Sequence, residues 1–303
     1  MFQNFSGSKL TFVLAATAAA GLSPHATVAQ STADGSVRFR IEGFAGSTTD
    51  TRPIATQKDK DSKGLLPSMS FSYGETFKGQ FDLLAAEHAG DKSVAGAAHL
   101  GFKASAHTTL GVYASKTRIK TPAKLNSERV GLELVYQGDK TAFNWIAGHE
   151  KVGAATVVAG TIPGYTVVDT YGDKDGFFNL ADVTYYPRPN WALTLGHRYG
   201  SGRHGGVAGI ERANKWKSST VSLFAEGRFG DKAYSGAWVG LRVRFGGNGA
   251  SLRAVRDQET YTNHLKDDMY GIGNSRRRTD VALPPPPPED DDNDCVCGAC
   301  YAT

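Results

Sequence analysis

Apolar and polar residues alternate one by one along much of the chain between Ser36 and Phe245. In the closing run Ala237, Val239, Leu241, Val243 and Phe245 fall on one face, and Trp238, Gly240, Arg242 and Arg244 on the other. Strand side chains point to opposite faces with period 2, whereas a helix would scatter these arginines around its surface. The preceding run sets Val221, Leu223 and Ala225 against Phe224, Glu226 and Arg228, so Lys217–Phe245 predicts a hairpin. Ser36–Ser47 repeats the motif, with Val37, Phe39 and Ile41 opposing Arg38, Arg40 and Glu42.

The same reading places strands over Leu66–Tyr73 and Phe77–Glu87, split by Gly74-Glu75-Thr76, a tight-turn signal. Further strands follow over Ser93–Ala104, Thr108–Arg118, Arg129–Gln137, Thr141–Glu150, Phe177–Tyr186 and Trp191–Tyr199. Residues 48–63, the Pro122 segment and the glycine-rich run 201–215 read as loops. The longest interruption, 151–176, holds two β-branched runs, Thr156–Thr161 and Tyr165–Thr170. Eleven strands of this kind have the wrong parity for a bacterial single-chain barrel. A twelfth strand hidden in 151–171 repairs the count, with ten to fourteen as the range.

Export changes how these faces are read. Lys9, the apolar run Leu10–Leu22 and Thr27-Val28-Ala29 have the layout of a cleaved signal peptide over residues 1–29. The apolar run is short of the ~20 residues that span a bilayer, and no later run reaches that length. The formal charge of +4 conceals a split: one base in 1–29, 27 bases and 20 acids (net +7) in 30–245, and six bases and ten acids (net −4) after Phe245. The bases of 30–245 are spread along alternating strands instead of clustered, which argues against nucleic acid.

A soluble β-sandwich would bury the apolar face, and a membrane barrel would turn it to lipid. The strands exceed the modal 5–6 residues of globular proteins. Their apolar faces mix small and aromatic residues, and Tyr73, Phe77, Phe102, Tyr136, Tyr185, Trp191, Tyr199, Phe229 and Phe245 sit near strand ends, where interfacial girdles belong. The expectation is an all-β, antiparallel up-and-down transmembrane β-barrel over 30–247, followed by a disordered tail over 248–303.

The signal peptide, the amphipathic strands and a last strand ending on an aromatic resemble the small, porin-like outer-membrane β-barrels of Gram-negative bacteria. AWVGLRVRFGG followed by ASLRAVRDQE is similar to the ends of many α-proteobacterial barrel proteins. The resemblance implies an outer-membrane location, contact with membrane lipid, and passive passage of small polar or anionic solutes, or else a structural envelope role. The 58 residues after Phe245 depart from that pattern, because such barrels usually stop at the terminal aromatic.

Candidate pore-lining residues are the charged members of the inward face. They are the bases Arg38, Arg40, Lys78, Lys103, Arg198, Arg228, Arg242 and Arg244, and the acids Glu42, Asp82, Glu133, Asp182 and Glu226. A barrel near twelve strands lies between one filled by side chains and one holding a water channel. His88 and His149 sit at strand ends, where a lipid hydrolase or protease would hold a catalytic group, but no partner is fixed by spacing and there is no G-x-S-x-G. The eight histidines therefore read as surface or rim residues, and no catalytic residue is assigned. Gly-Asp-Lys at 90, 138, 172 and 230 lacks the P-loop spacing and reads as turns. In the tail, Pro284–Pro288 reads as polyproline, Glu289–Asp294 as an acidic run, and Cys295, Cys297 and Cys300 as incidental cysteines; no metal or cofactor is assigned. The tail is expected to act as a periplasmic spacer toward peptidoglycan or a protein partner. A secreted β-sandwich adhesin is the soluble alternative.

Overall fold

The computed structural model describes residues 35–48, 61–88, 91–120, 125–162, 165–171, 174–230, 235–245, 250–273 and 278–282. The proposed signal peptide, residues 49–60 of the expected 48–63 loop, and Pro284–Cys300 lie outside them, while 61–63 of that loop belong to a strand.

Twelve antiparallel strands form one closed sheet. In chain order the first seven elements are β1 (Gly35–Thr48), β2 (Asp61–Tyr73), β3 (Phe77–His88), β4 (Asp91–Lys103), β5 (Thr108–Lys120), β6 (Leu125–Gln137) and β7 (Thr141–Val152). A hairpin of β8 (Ala155–Ile162) and β9 (Tyr165–Tyr171) intervenes before β10 (Lys174–Arg188), β11 (Trp191–Gly200), β12 (Arg203–Trp216), β13 (Ser219–Gly230) and β14 (Gly236–Phe245). β7 pairs directly with β10, and β1 pairs with both β2 and β14, for example Ile41 with Val243 and with Pro67, which closes the cylinder. Closure leaves no open edge, which hydrocarbon would not tolerate.

The two rims differ. Residues 74–76, 104–107, 138–140, 189–190 and 217–218 make short turns on the rim that also carries Gly35 and Phe245. Gly74 takes φ +59° in the first of these, a conformation that favours glycine. The opposite rim carries the two longest connections, between β1 and β2 and the one that holds β8–β9, beside two-residue links at 89–90 and 201–202.

The sequence places the twelfth strand in 151–171, and the structure corrects this. β8 and β9 leave the barrel and make a separate sheet, while the 201–215 run read as a loop is β12.

Outward, the wall is apolar all the way round: Leu83, Val112, Leu132, Val183, Leu195 and Leu223 are all at least half exposed. A girdle of Tyr73, Phe77, Phe102, Tyr136, Tyr185 and Trp216 rings the short-turn rim. Inward, the alternate positions are buried and mostly polar, such as Ser68, Gln80, Asp82, His99, Glu133 and Arg244. One closed sheet with charge inside and hydrocarbon outside excludes the sandwich reading. Among the described residues, no helix is long and apolar enough to cross a membrane.

Beyond Phe245 the chain turns back into the cylinder, so the disorder expected from residue 248 does not hold for 250–273. Those residues form α1 (Leu252–Glu259) and α2 (Leu265–Gly273), and β15 (Arg278–Ala282) then joins the edge of β9. The β8–β9 hairpin leaves the far end of β7, so α1 stands at the short-turn rim, α2 lies inside the lumen and β15 sits at the long-loop rim.

Candidate functional site: a lumen closed by its own C-terminal segment

α1 seats itself across the short-turn mouth. The Ser251 side chain caps it by accepting a hydrogen bond from the Ala254 amide, and Leu252 is fully buried beside Tyr186, Ala192 and Ala213. Leu252 N donates to Asn190 Oδ1 (3.2 Å), Arg253 N to Pro189 O (3.0 Å) and Gln137 Nε2 to Asp257 O (3.2 Å), so the rim turns bind the helix through backbone groups. The Arg253 guanidinium lies 4.8 Å from the Tyr186 ring centroid.

Deeper in, α2 presents Leu265 and Met269, four residues apart and both fully buried, to Phe44, Leu66, Leu84, Tyr113, Ile146 and Phe178. The lumen is thus part apolar, a feature the inward-polar pattern does not reveal. The three charged residues of α2, Lys266, Asp267 and Asp268, each find an opposite charge on the wall. Lys266 Nζ sits 2.9 Å from both Glu42 and Glu226. One Asp267 oxygen lies 2.9 Å from Arg198 and 2.7 Å from Arg228, and Asp268 pairs with Arg129 and accepts from the Tyr113 hydroxyl (3.0 Å). Glu259, at the end of α1, bridges Arg40 (3.2 Å) and Arg244 (3.0 Å), and Arg256 pairs with Glu211. Burial works to raise the Glu259 carboxyl, but Arg244 and Arg40 outweigh it and hold the group below its ordinary range.

Ten of the thirteen sequence-predicted residues meet in this network. Besides the contacts above, Asp182 takes Arg198 in a fork at 2.8 and 3.0 Å, Glu42 accepts from Arg242 (2.6 Å), Glu226 from Arg228 (2.8 Å), and Glu211 from Arg242 (2.6 Å) and Arg244 (2.7 Å). Asp82 and Glu133 flank His99 at 3.1 and 2.7 Å. The other three, Arg38, Lys78 and Lys103, stay apart toward the short-turn rim. Arg38 donates to Ser36 (3.1 Å) and Lys78 to Ser72 (3.0 Å), while Lys103 is exposed.

Several members lie outside the predicted set. Arg129 follows from parity, since it shares the inward face with Glu133, and Glu150, its wall partner, follows from the same counting. Glu211 is hidden by the loop reading of 201–215. His99 is no rim histidine: it is fully buried and stacks on Tyr261, with ring centroids 5.0 Å apart. Paired glycines on the inner wall, Gly101 and Gly111, make room for that tyrosine, because a Cβ on Gly101 would lie 2.3 Å from the Tyr261 hydroxyl. Nothing local in the sequence marks Glu259, His264, Lys266, Asp267 or Asp268 as lumen residues.

Of the two histidines considered for chemistry, His149 is exposed on the outer face, 2.8 Å from Asp175, and His88 ends β3. Among the described residues no cluster of His, Cys, Asp and Glu has a metal-holding arrangement.

No protein-family profile and no curated protein matches this chain. Among solved structures, it is similar to the KdgM porin in complex with disordered oligogalacturonate (10% identity, TM-score 0.43, covering 68% of this chain and 98% of that one). It is also similar to an outer membrane channel from Pseudomonas putida F1 (12%, 0.44, 71% and 96%). A third is the translocator domain of the autotransporter NalP from Neisseria meningitidis (10%, 0.44, 72% and 90%). The architecture read here stands on the chain's own strand pairing: a closed twelve-stranded β-barrel, apolar outside, whose lumen is filled by the segment that follows its last strand.

Proposed function

We propose that this protein is a porin-like β-barrel of a Gram-negative outer membrane, a passive conduit for small polar or anionic solutes whose resting state is closed by residues 250–273. In bacterial barrels the short turns face the periplasm, which puts α1 at the periplasmic mouth and β8–β9 at the outer rim. The observation that carries the reading is the pairing of tail and wall. Five wall arginines, Arg40, Arg129, Arg198, Arg228 and Arg244, meet three tail carboxylates, Glu259, Asp267 and Asp268, and the tail's Lys266 answers two wall glutamates.

Ion pairs and helix packing close the lumen without a covalent bond, so the closed state is an equilibrium that opposing charge can shift. With the tail displaced, six wall arginines including Arg242 line the lumen beside the wall carboxylates that pair with them, among them Glu42, Glu150, Asp182, Glu211 and Glu226, so the interior charges nearly balance. Arg38, Lys78 and Lys103 near the mouth tip that balance toward a mild anion preference. A lumen that never opens would make the same molecule a structural envelope protein.

Planar bilayer recording separates the two. The full chain should give rare, small steps, and the Asp267→Lys/Asp268→Lys variant, whose tail repels the wall arginines, should give frequent steps with anion preference. Silence from a variant that still migrates as a heat-modifiable barrel would reject the conduit and leave the structural role.

A further inference from the structure

The outer face of the long-loop rim is divided. Over β10, β11 and β13 it carries the aromatics Phe177, Tyr199 and Phe229. Over β4, β5 and β7 it carries cations instead: Lys92, Lys116, Arg118, Lys120 and Lys151, all exposed and all outward, since their strand neighbours Ser93, Thr117, Ile119 and Glu150 are buried. Three outward carboxylates lie beside these cations: Glu128 on β6 is opposite Lys116 and Lys151 in register and accepts from Lys116 at 2.6 Å, Glu87 on β3 is opposite Lys92, and Asp175 on β10 is opposite Lys151, whereas Arg118 is flanked by Val94 and Asn126. Lys92 and Lys120 are direct cross-strand partners, and Arg118 sits one outward position below Lys120.

Like charges placed directly opposite on a sheet destabilise it, and a counter-anion between them removes that cost. These cations are continuous with the apolar wall. On β5 the outward series is Leu110, Val112, Ala114, then Lys116, Arg118, Lys120. A group that reaches them while its remainder lies against Ala114 and Val112 must carry negative charge at one end and hydrocarbon at the other, which is the form of an anionic, phosphate-bearing lipid. We propose that the outer face of β4–β7 at the long-loop rim binds the net-anionic, phosphate-bearing head groups of membrane lipid. This rests on the membrane-barrel reading above.

The test is native mass spectrometry of the full-length, detergent-extracted chain with bisphosphorylated lipid A, phosphatidylcholine and inorganic phosphate as probes. The wild type should retain lipid A adducts and gain none with phosphatidylcholine. Lys92→Gln/Arg118→Gln/Lys120→Gln should weaken lipid A on the order of 100-fold at low salt, each cation near a charged lipid surface contributing about fivefold. Arg212→Gln/Lys215→Gln, on the opposite rim, should leave it unchanged. Equal lipid A retention by the triple variant would overturn the proposal, as would equal retention of phosphatidylcholine. Competition by millimolar inorganic phosphate would assign the site to free anion and also overturn it. Heat-modifiable migration of the same samples reports the barrel separately: loss of that signature in the wild type sinks the membrane reading, and its retention with no lipid preference sinks the lipid site alone.

Discussion

Asp267 is the residue on which closure of the lumen is most exposed to attack. One of its oxygens neutralises Arg198 and Arg228 together, at 2.9 and 2.7 Å, and its other oxygen meets His264 at 3.1 Å, with the side chain almost wholly buried. Asp267→Asn keeps the shape and removes the charge. Breaking a buried pair from one side costs about 3–5 kcal/mol. Here each arginine keeps a wall partner, Asp182 and Glu226 at 2.8 Å each, so the lower end, about 3 kcal/mol, is the better figure. At 1.4 kcal/mol per tenfold, that moves the closed-to-open ratio by about 100-fold. The wall pairs survive tail release, so the cost falls on docking and not on the barrel. In single-channel recording, open time per molecule should rise by that factor, while heat-modifiable migration stays as in the wild type. A second substitution should undo it: Thr166→Cys/Ala282→Cys, at partner positions of β9 and β15, locks the tail across the lumen when oxidised. An Asp267→Asn chain with unchanged open time would refute the ion-pair account of closure, as would a locked chain that conducts as freely as the unlocked one.

Other outcomes follow from the same geometry. Glu259 titrates below its ordinary value in the docked tail, so its contribution is complete above the ordinary carboxylate value of 4.5 and fades as pH falls through the lowered one; open time should therefore rise on acidification below pH 4.5 and stay flat from there to neutrality. Lys266→Met leaves Glu42 and Glu226 facing an apolar side chain in place of the cation that joined them, and should raise conductance in the same assay while sparing barrel assembly. Leu132→Arg, at an outward position 65% exposed, places charge against hydrocarbon at a cost of about 2–4 kcal/mol near the bilayer midplane and should depress assembly into membranes; normal yield would contradict the outward-lipid reading.

The alternation of side chains determined most of the wall. A single hydrophobic-in or hydrophobic-out choice fixes every side chain of a strand at once, so Arg40, Glu42, Asp82, Glu133, Arg228 and Arg244 could be assigned inward from parity alone. β12 escaped because its pattern is diluted: outward positions are Gly206 and Ala208, while Val207 points inward and is buried. The Phe229 ring lies over Gly206, where a Cβ would come within 2.4 Å of it, so the glycine is covered by its neighbour's side chain, which one strand's sequence does not disclose. β8 and β9 have strand composition, but only pairing of β7 with β10 shows that they leave the cylinder.

The tail was illegible for a deeper reason. A helix at the surface of a core shows one apolar stripe, and its period gives it away. A helix enclosed by a charged wall is partnered on every side, so Lys266, Asp267 and Asp268 are buried beside Leu265 and Met269, and the segment reads like a solvated, disordered one. What the sequence by itself determined is the polarity of each face of the wall, because period 2 is a local property of extended chain. What only the tertiary structure decided is which segment fills the interior, because that depends on charges hundreds of residues apart in sequence, such as Arg40 and Glu259, being brought within 3.2 Å by closure of the barrel.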